Sequence, residues 1–237
     1  MKLLVLAGGF GSRLKTAISN VPKPLAPIGR VPFLELQIEH WLNQGVTNFT
    51  FLLCHQADQI INFLSTQQKV LFKKSKVDWL VEPSPMDTGG AIAYAVKELG
   101  LYENFLVANA DTWLGGGVDE MIGSKAPAIG VVKITDVGRY GQVLFDNQNI
   151  ITAFAEKTHQ IAPGWINVGL CHLTTDIFKK WDGRPFSLER NLFPQLVNHN
   201  TLKAVPLNTE FIDIGIPEDY LRFSRWVSSN RQSRLCN

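Results

Sequence analysis

The sequence predicts an α/β fold in which a Rossmann-like, mostly parallel sheet is flanked by helices and extended by antiparallel strands in the second half of the chain. Three observations predict it. Up to Asp111 short apolar runs alternate with helical patterns; several of those runs break into turn-rich segments, Gly8 to Arg13, Glu82 to Gly90 and Asn109 to Asp111; and from Ala128 onward apolar runs follow one another through short connections. Strand–helix–strand crossovers place the carboxyl ends of parallel strands on one edge, where such sheets bind ligands. With 237 residues, 45% hydrophobic, the chain can bury a core without metal or disulfide staples.

The start, Met1 to Ala7, superficially resembles a signal peptide, but its apolar run stops at Gly8 and predicts a buried first strand. Gly8, Gly9 and Gly11 then allow a sharp turn with N–H groups facing one concavity, which suits a polyphosphate, and Arg13 adds a fixed positive charge. Taken alone, such a loop is equally a tight turn. In Asn20 to Pro27 three prolines predict an extended segment that aims Lys23 with little freedom left to lose.

Leu34, Ile38, Trp41 and Leu42 recur at helical spacing from Pro32 to Asn43, with Gly45 as the stop. Phe49 to Cys54 reads as a strand, Asp58 to Leu64 as a helix and Val77 to Val81 as a strand. The second loop leads into a helix over Ala91 to Leu99, with Asp87 or Thr88 as its cap. Phe105 to Ala108 is the next strand.

In the second half, Ala128 to Ile134, Gln142 to Phe145, Ile150 to Phe154 and Ile166 to Leu173 predict antiparallel strands. Thr175 to Trp181 and Leu188 to Val197 predict helices, Lys203 to Pro206 and Phe211 to Gly215 strands, and Glu218 to Val227 a last helix opened by Pro217. Residues 1–227 are expected to form one domain and 228–237 a polar tail.

Composition excludes several classes. A net charge of +2 implies neither a nucleic-acid nor a membrane-surface partner, and the lysines at 69, 73, 74 and 76 read as a solvated helix end or loop. No run reaches membrane-spanning length, and three widely spaced cysteines read as reduced thiols of a cytoplasmic protein. The five histidines show no metal-ligand spacing, and His55 is the one that follows a strand toward the ligand edge. The six tryptophans read as packing residues, with Trp113 and Trp165 nearest the expected site.

Asp111 and Asp213 each stand at the end of an apolar strand and are expected side by side at one sheet edge. Two carboxylates beside a phosphate pocket are what Mg²⁺ takes. Arg139 is placed either to reach a phosphate or to form a surface ion pair.

At these residues the chain resembles the sugar-1-phosphate nucleotidyltransferases, through Leu6-Ala7-Gly8-Gly9-Phe10-Gly11-Ser12-Arg13-Leu14 followed by Pro22-Lys23-Pro24. Within that family it is most similar to the D-glycero-D-manno-heptose 1-phosphate guanylyltransferases, through Thr88-Gly89-Gly90-Ala91-Ile92, Arg139-Tyr140-Gly141 and Phe211 to Tyr220; mannose-1-phosphate guanylyltransferases and short uridylyltransferases share much of the pattern. The resemblance implies the nucleotide-diphospho-sugar transferase fold, and a reaction in which an NTP, GTP favoured, and a sugar 1-phosphate give an NDP-sugar and pyrophosphate. It assigns the nucleotide to Ala7, Gly8, Gly9, Gly11, Ser12, Arg13, Lys23, Thr88 and Gly89, and the sugar phosphate to Gly141, Glu156, Lys157 and Asn167. Mg²⁺ falls to Asp111 and Asp213, and catalysis to Arg13, Lys23 and Asp111. A non-catalytic binding subunit of the same fold is the alternative from another class, and the presence of Arg13, Lys23, Asp111 and Asp213 argues for activity.

Overall fold

The computed structural model describes residues 1–11, 21–155 and 161–235. The chain begins with β1 (Lys2–Leu6), then a 3₁₀ turn at Lys23–Leu25 and the small hairpin β2 (Pro27–Ile28) and β3 (Val31–Pro32). Three crossover units follow: α1 (Phe33–Asn43), β4 (Asn48–Leu53), α2 (Ala57–Gln67), β5 (Lys76–Val81), α3 (Asp87–Glu98) and β6 (Phe105–Asn109). Next come β7 (Thr112–Leu114), α4 (Val118–Gly123), β8 (Ala128–Ile134), β9 (Gln142–Phe145), β10 (Ile151–Ala155) and β11 (Gly164–Leu173). A 3₁₀ turn at Thr175–Phe178 and a π-helical turn at Leu188–Leu192 precede α5 (Phe193–Asn198), β12 (Lys203–Pro206), β13 (Phe211–Asp213) and α6 (Pro217–Leu235).

The central sheet runs β10-β9-β11-β6-β1-β4-β5, with β8 paired to β11 and β12 to β8. β6, β1, β4 and β5 are parallel, so Leu6, Leu53, Val81 and Asn109 end on one edge. Alternation along β1 sends Leu3 and Val5 to the face covered by α1, α2 and α4, and Leu4 to the face covered by α3 and α5. A third apolar cluster, with Phe33, Trp113, Ile214 and Phe223, seats α6 against α1. Each such fully buried large side chain contributes about 1.5–3 kcal/mol of transfer free energy. Lys69, Lys73, Lys74 and Lys76 are exposed, as expected.

Several elements differ from the sequence expectation. The segment around Lys23 is a tight turn, because Pro24 has the φ that a first turn needs and no N–H to waste there. Helix α3 begins at Asp87, so Gly89 and Gly90 lie inside it. β12, read only as a short strand, pairs parallel with β8. β13 lies outside the central sheet and pairs instead with β7, a strand without apolar alternation long enough to be read. α6 runs past Val227 to Leu235.

His172 is buried in β11, where its Nδ1 meets Ser124 Oγ at 3.1 Å, and His40 stacks on Trp113 with centroids 4.5 Å apart. The Nε2 atoms of both have no hydrogen-bond partner among the described residues. Burial lowers both imidazoles below their ordinary value of 6.5. Protons therefore bind the unfolded chain more readily, so this part of the stability is complete above pH 6.5 and is lost as pH falls below it. Thermal melts stepped downward from about pH 8 are expected to decline below about pH 6.5, less steeply in His172→Gln. A decline identical in that variant would remove His172 as a cause.

Candidate active site

The parallel strands place their last residues around one cleft of about 580 Å³. The sheet hydrogen bonding continues past the strand ends and fixes the loop starts: Ala7 N donates to Leu52 O, Glu82 N to Leu53 O and Ala110 N to Leu6 O, at 2.8–3.0 Å. Ala7, Gly8, Gly9, Phe10 and Gly11 form one wall. Gly11 has φ +58°, and a Cβ there would stand 3.2 Å from that of Lys23, so only glycine lets the loop lie against the Lys23 turn.

Lys23 is held from both sides. Leu25 N donates to Pro22 O at 2.8 Å and Ala26 N to Lys23 O at 3.1 Å, closing the turn. The Lys23 side chain, only 9% exposed, extends between the two expected carboxylates, with Nζ 2.6 Å from Asp111 Oδ2 and 3.5 Å from Asp213 Oδ1. Buried Gln37 on α1 steadies the Asp111 turn by donating from Nε2 to Asn109 O at 3.2 Å and to Thr112 O at 2.7 Å. Ile214 N donates to Asp111 O at 3.1 Å, and Gly215 N donates to Asp213 Oδ1 at 2.7 Å. The β7–β13 ribbon thus brings Asp213 beside Asp111 although neither lies in a common sheet.

The opposite wall contains Glu82, Met86, Asp87, Thr88, Ala91 and Pro185. Glu82 was not singled out by sequence reasoning, although it directly follows β5 on the ligand edge. Its Oε2 accepts from Met86 N at 2.8 Å, while burial, and then the charge of Asp87, raise its carboxyl above the ordinary range. Thr88 lines the cleft, but its hydroxyl accepts from Leu188 N at 2.9 Å and donates to Glu189 at 3.0 Å. Gly89 and Gly90 are buried behind it, with N–H groups donated to Phe186 O, and a Cβ on Gly89 would stand 2.2 Å from the Phe186 ring. Gly89 therefore serves helix packing in this wall and does not line the cleft. Pro185 and Phe186 carried no local signal, since they arrive from nearly a hundred residues downstream.

Gly141 and Asn167 also lie outside this cleft. The antiparallel bridge of Ile166 to Gln142 sets them side by side, and Asn167 Oδ1 accepts from Gly169 N at 3.0 Å. Ser12, Arg13, Glu156 and Lys157 fall outside the described residues. Trp113 is core, packed on Phe223 and Trp226, and Trp165 packs on Phe145. His55 stacks on Phe10 at the mouth of the glycine loop, with centroids 4.9 Å apart. Arg139 forms an ion pair with Asp219. No helix among the described residues is long and apolar enough to cross a membrane, and no group of three or more possible metal ligands occurs among them.

A wall of backbone amides, an ammonium between two carboxylates and a second wall carrying the acidic side chains of Glu82 and Asp87 form a cleft suited to a phosphorylated nucleotide. Comparison with known proteins agrees. The chain is 33% identical over 227 residues to D-glycero-alpha-D-manno-heptose 1-phosphate guanylyltransferase of Campylobacter jejuni, covering 94% of this chain and 98% of that one. It is 32% identical to probable mannose-1-phosphate guanylyltransferase 1 of Oryza sativa over 93% of its own length, and spans 63% of that relative. The crystal structure of HddC from Yersinia pseudotuberculosis complexed with GMP-PN superposes with a TM-score of 0.83 at 34% identity, covering 95% of this chain and 99% of that one. A putative glucose-1-phosphate thymidylyltransferase from Bacillus anthracis superposes with a TM-score of 0.79 at 18% identity over 95% and 94% of the two chains, a likeness of fold. The nucleotidyl transferase profile matches residues 2–230, nearly the whole chain, and on that span the protein belongs to the nucleotidyl transferase family.

Proposed function

We propose that the chain transfers a guanylyl group from GTP to a sugar 1-phosphate of heptose or mannose configuration, releasing pyrophosphate. The observation that carries this reading is the convergence of Lys23 and Asp111, which line the glycine-loop end of the cleft, with Asp213, which does not line it but lies 3.5 Å from Lys23 Nζ, in a chain whose relatives are named as guanylyltransferases.

No protein nucleophile is needed. A phosphate oxygen of the sugar 1-phosphate is already anionic at neutral pH; it bonds to the α-phosphorus as the bond to the bridging oxygen of pyrophosphate breaks, so catalysis is positioning and charge neutralisation. The backbone amides of Gly8 to Gly11 receive the phosphates, and Lys23 moves its ammonium from the aspartates toward them. Ser12, Arg13, Glu156 and Lys157 complete the site on the strength of the family resemblance, the first two on the triphosphate and the last two on the sugar phosphate, with Gly141 and Asn167 beside the sugar.

The residues fit Mg²⁺. Asp111 and Asp213 already share one cation, the Lys23 ammonium, and offer only hard oxygen donors. These two aspartates would hold the ion, which supplies further neutralisation of phosphate oxygens when bound. The free thiols of Cys54 and Cys171 suit a cytoplasmic location.

Glu82 supports guanine as the base. A carboxylate accepts at both oxygens, and guanine presents two adjacent donors, N1–H and the N2 amino group, whereas uracil and thymine present one N–H between two acceptors. Glu82→Gln replaces one acceptor by a donor and is expected to cost about 1–3 kcal/mol, roughly ten- to a hundredfold in kcat/KM for GTP, with UTP affected less. An unchanged ratio of GTP to UTP use would remove Glu82 from base reading.

The deciding experiment measures pyrophosphate release with each of the four ribonucleoside triphosphates against heptose, mannose, glucose and N-acetylhexosamine 1-phosphates, with and without Mg²⁺. GTP with the heptose or mannose substrate is expected to give the highest rate, dependent on Mg²⁺. Silence in every combination would overturn transfer in favour of a binding subunit.

A further inference from the structure

The turn between β8 and β9 meets the first turn of α6 at a buried charge. Asp219, 4% exposed, accepts from Arg139 through Oδ2 and lies 3.4 Å from Arg222 through Oδ1. The Arg139 guanidinium also covers the ring of Tyr140, 5.6 Å from its centroid, and Tyr140 packs edge-on against Phe211 of β13 at 5.4 Å. The turn is closed on itself, with Gly138 N donating to Asp136 Oδ1 and Tyr140 N to Val137 O, both at 2.8 Å.

A surface loop is thereby tied at two points to the elements around Asp213: Arg139 to the Asp219 carboxylate of α6, and Tyr140 to the Phe211 ring of β13. The charge of Asp213 reaches both Arg139 and Tyr140. None of residues 136–141 lines the cleft that contains Glu82, so the turn lies outside that cleft, joined to β13 through Tyr140 and Phe211. In-line displacement requires the attacking oxygen to enter opposite the leaving pyrophosphate. On the guanylyl-transfer reading, a nucleotide in the cleft from Glu82 to Lys23 leaves the acceptor to enter from outside that cleft, on the side of Asp213.

Resting on the guanylyl-transfer reading, we propose that Arg139, locked to Asp219, is a positioning residue that fixes the Asp136–Gly141 turn against α6 as a preformed wall for the acceptor sugar phosphate. The ion pair does what a binding event otherwise has to do, since a loop already ordered costs the acceptor no ordering entropy. Arg139 contacts no reacting atom in this role. Its effect passes through Tyr140 and Gly141.

Initial rates of Arg139→Ala, Arg139→Lys and Asp219→Asn are compared with the parent while each substrate is varied in turn, with thermal melts taken alongside. Arg139→Ala is expected to raise KM for the sugar 1-phosphate about tenfold, with KM for GTP changed by less than about twofold. Asp219→Asn shares the acceptor-specific rise. Arg139→Lys recovers part of it, because an ammonium keeps the charge but loses the planar fork; if the alanine variant fails to fold, the lysine variant carries the test with a smaller acceptor-specific rise. Equal rises for both substrates, or an unchanged acceptor KM, would overturn the positioning role. An active parent with an indifferent Arg139→Ala sinks this role alone, whereas a parent inactive with every sugar phosphate sinks the transfer reading and this role with it.

Discussion

Lys23→Ala is expected to lower pyrophosphate release by about a hundredfold or more, the loss typical of one preorganised charge contact at a reacting phosphate. Three facts make this the largest single effect on turnover. The side chain is nearly buried, it is the cation shared by Asp111 and Asp213, and its backbone is clamped by Pro22 and Pro24. No flexible surface lysine can replace it. The variant also leaves two carboxylates facing each other without a counter-charge, so its melting temperature is expected to rise with added Mg²⁺ more than the parent's does. Steady-state rates and melts with and without Mg²⁺ check both halves. Near-normal turnover by a folded Lys23→Ala protein would count decisively against the assignment of the cleft.

Gly169→Ala is expected to produce the largest loss of stability among conservative changes near the site. Gly169 lies in β11 at φ +71°, where the strand's register to β8 shifts between Asn167 and Cys171, and a Cβ there would stand 2.3 Å from Asn109 Nδ2. Forcing alanine into the left-handed region costs about 1–2 kcal/mol, and the overlap with Asn109 adds about 1–3 kcal/mol. The sum, about 2–5 kcal/mol, corresponds to a fall in melting temperature of roughly 4–20 °C for a chain of this size. Asn109 lines the cleft, so activity falls as well. Adding Asn109→Ala to Gly169→Ala is expected to restore the steric share of the stability and leave the backbone share lost, a non-additivity that a double-mutant cycle measures. A Gly169→Ala protein that melts with the parent would show that the strand relaxes at no cost.

The parallel half of the sheet was legible because each of its strands is a short apolar run closed by turn residues, and each crossover helix shows a clear 3.6-residue pattern. The pairing of Asp111 with Asp213 was legible at the level of residues, while the ribbon that achieves it was not. β7 and β13 are three residues each, and their partnership depends on Trp113 and Ile212 packing under α6. The start of α3 was misplaced because Gly89 and Gly90 read as loop residues, and nothing local reveals that Phe186 needs the space above them. Glu82 carries no local signal for a related reason: its place opposite the glycine loop exists only once β5 pairs with β4 and β4 with β1.

The β7–β13 ribbon also sets when the enzyme can first exist. Lys23 and Asp213 are separated by 190 positions, and a ribosome delivers the first of them long before the second. Domains begin to organise from the amino terminus during synthesis, and contacts so distant in sequence form late. A growing chain that has completed β1 to β7 already holds the glycine loop, Lys23 and Asp111, yet lacks the second carboxylate, the α6 anchor and the turn that α6 secures. Such a nascent chain has the glycine-loop wall of the cleft but neither Pro185 of the opposite wall nor the acceptor wall, so the site matures only as the later segments, the final strand and the last helix emerge.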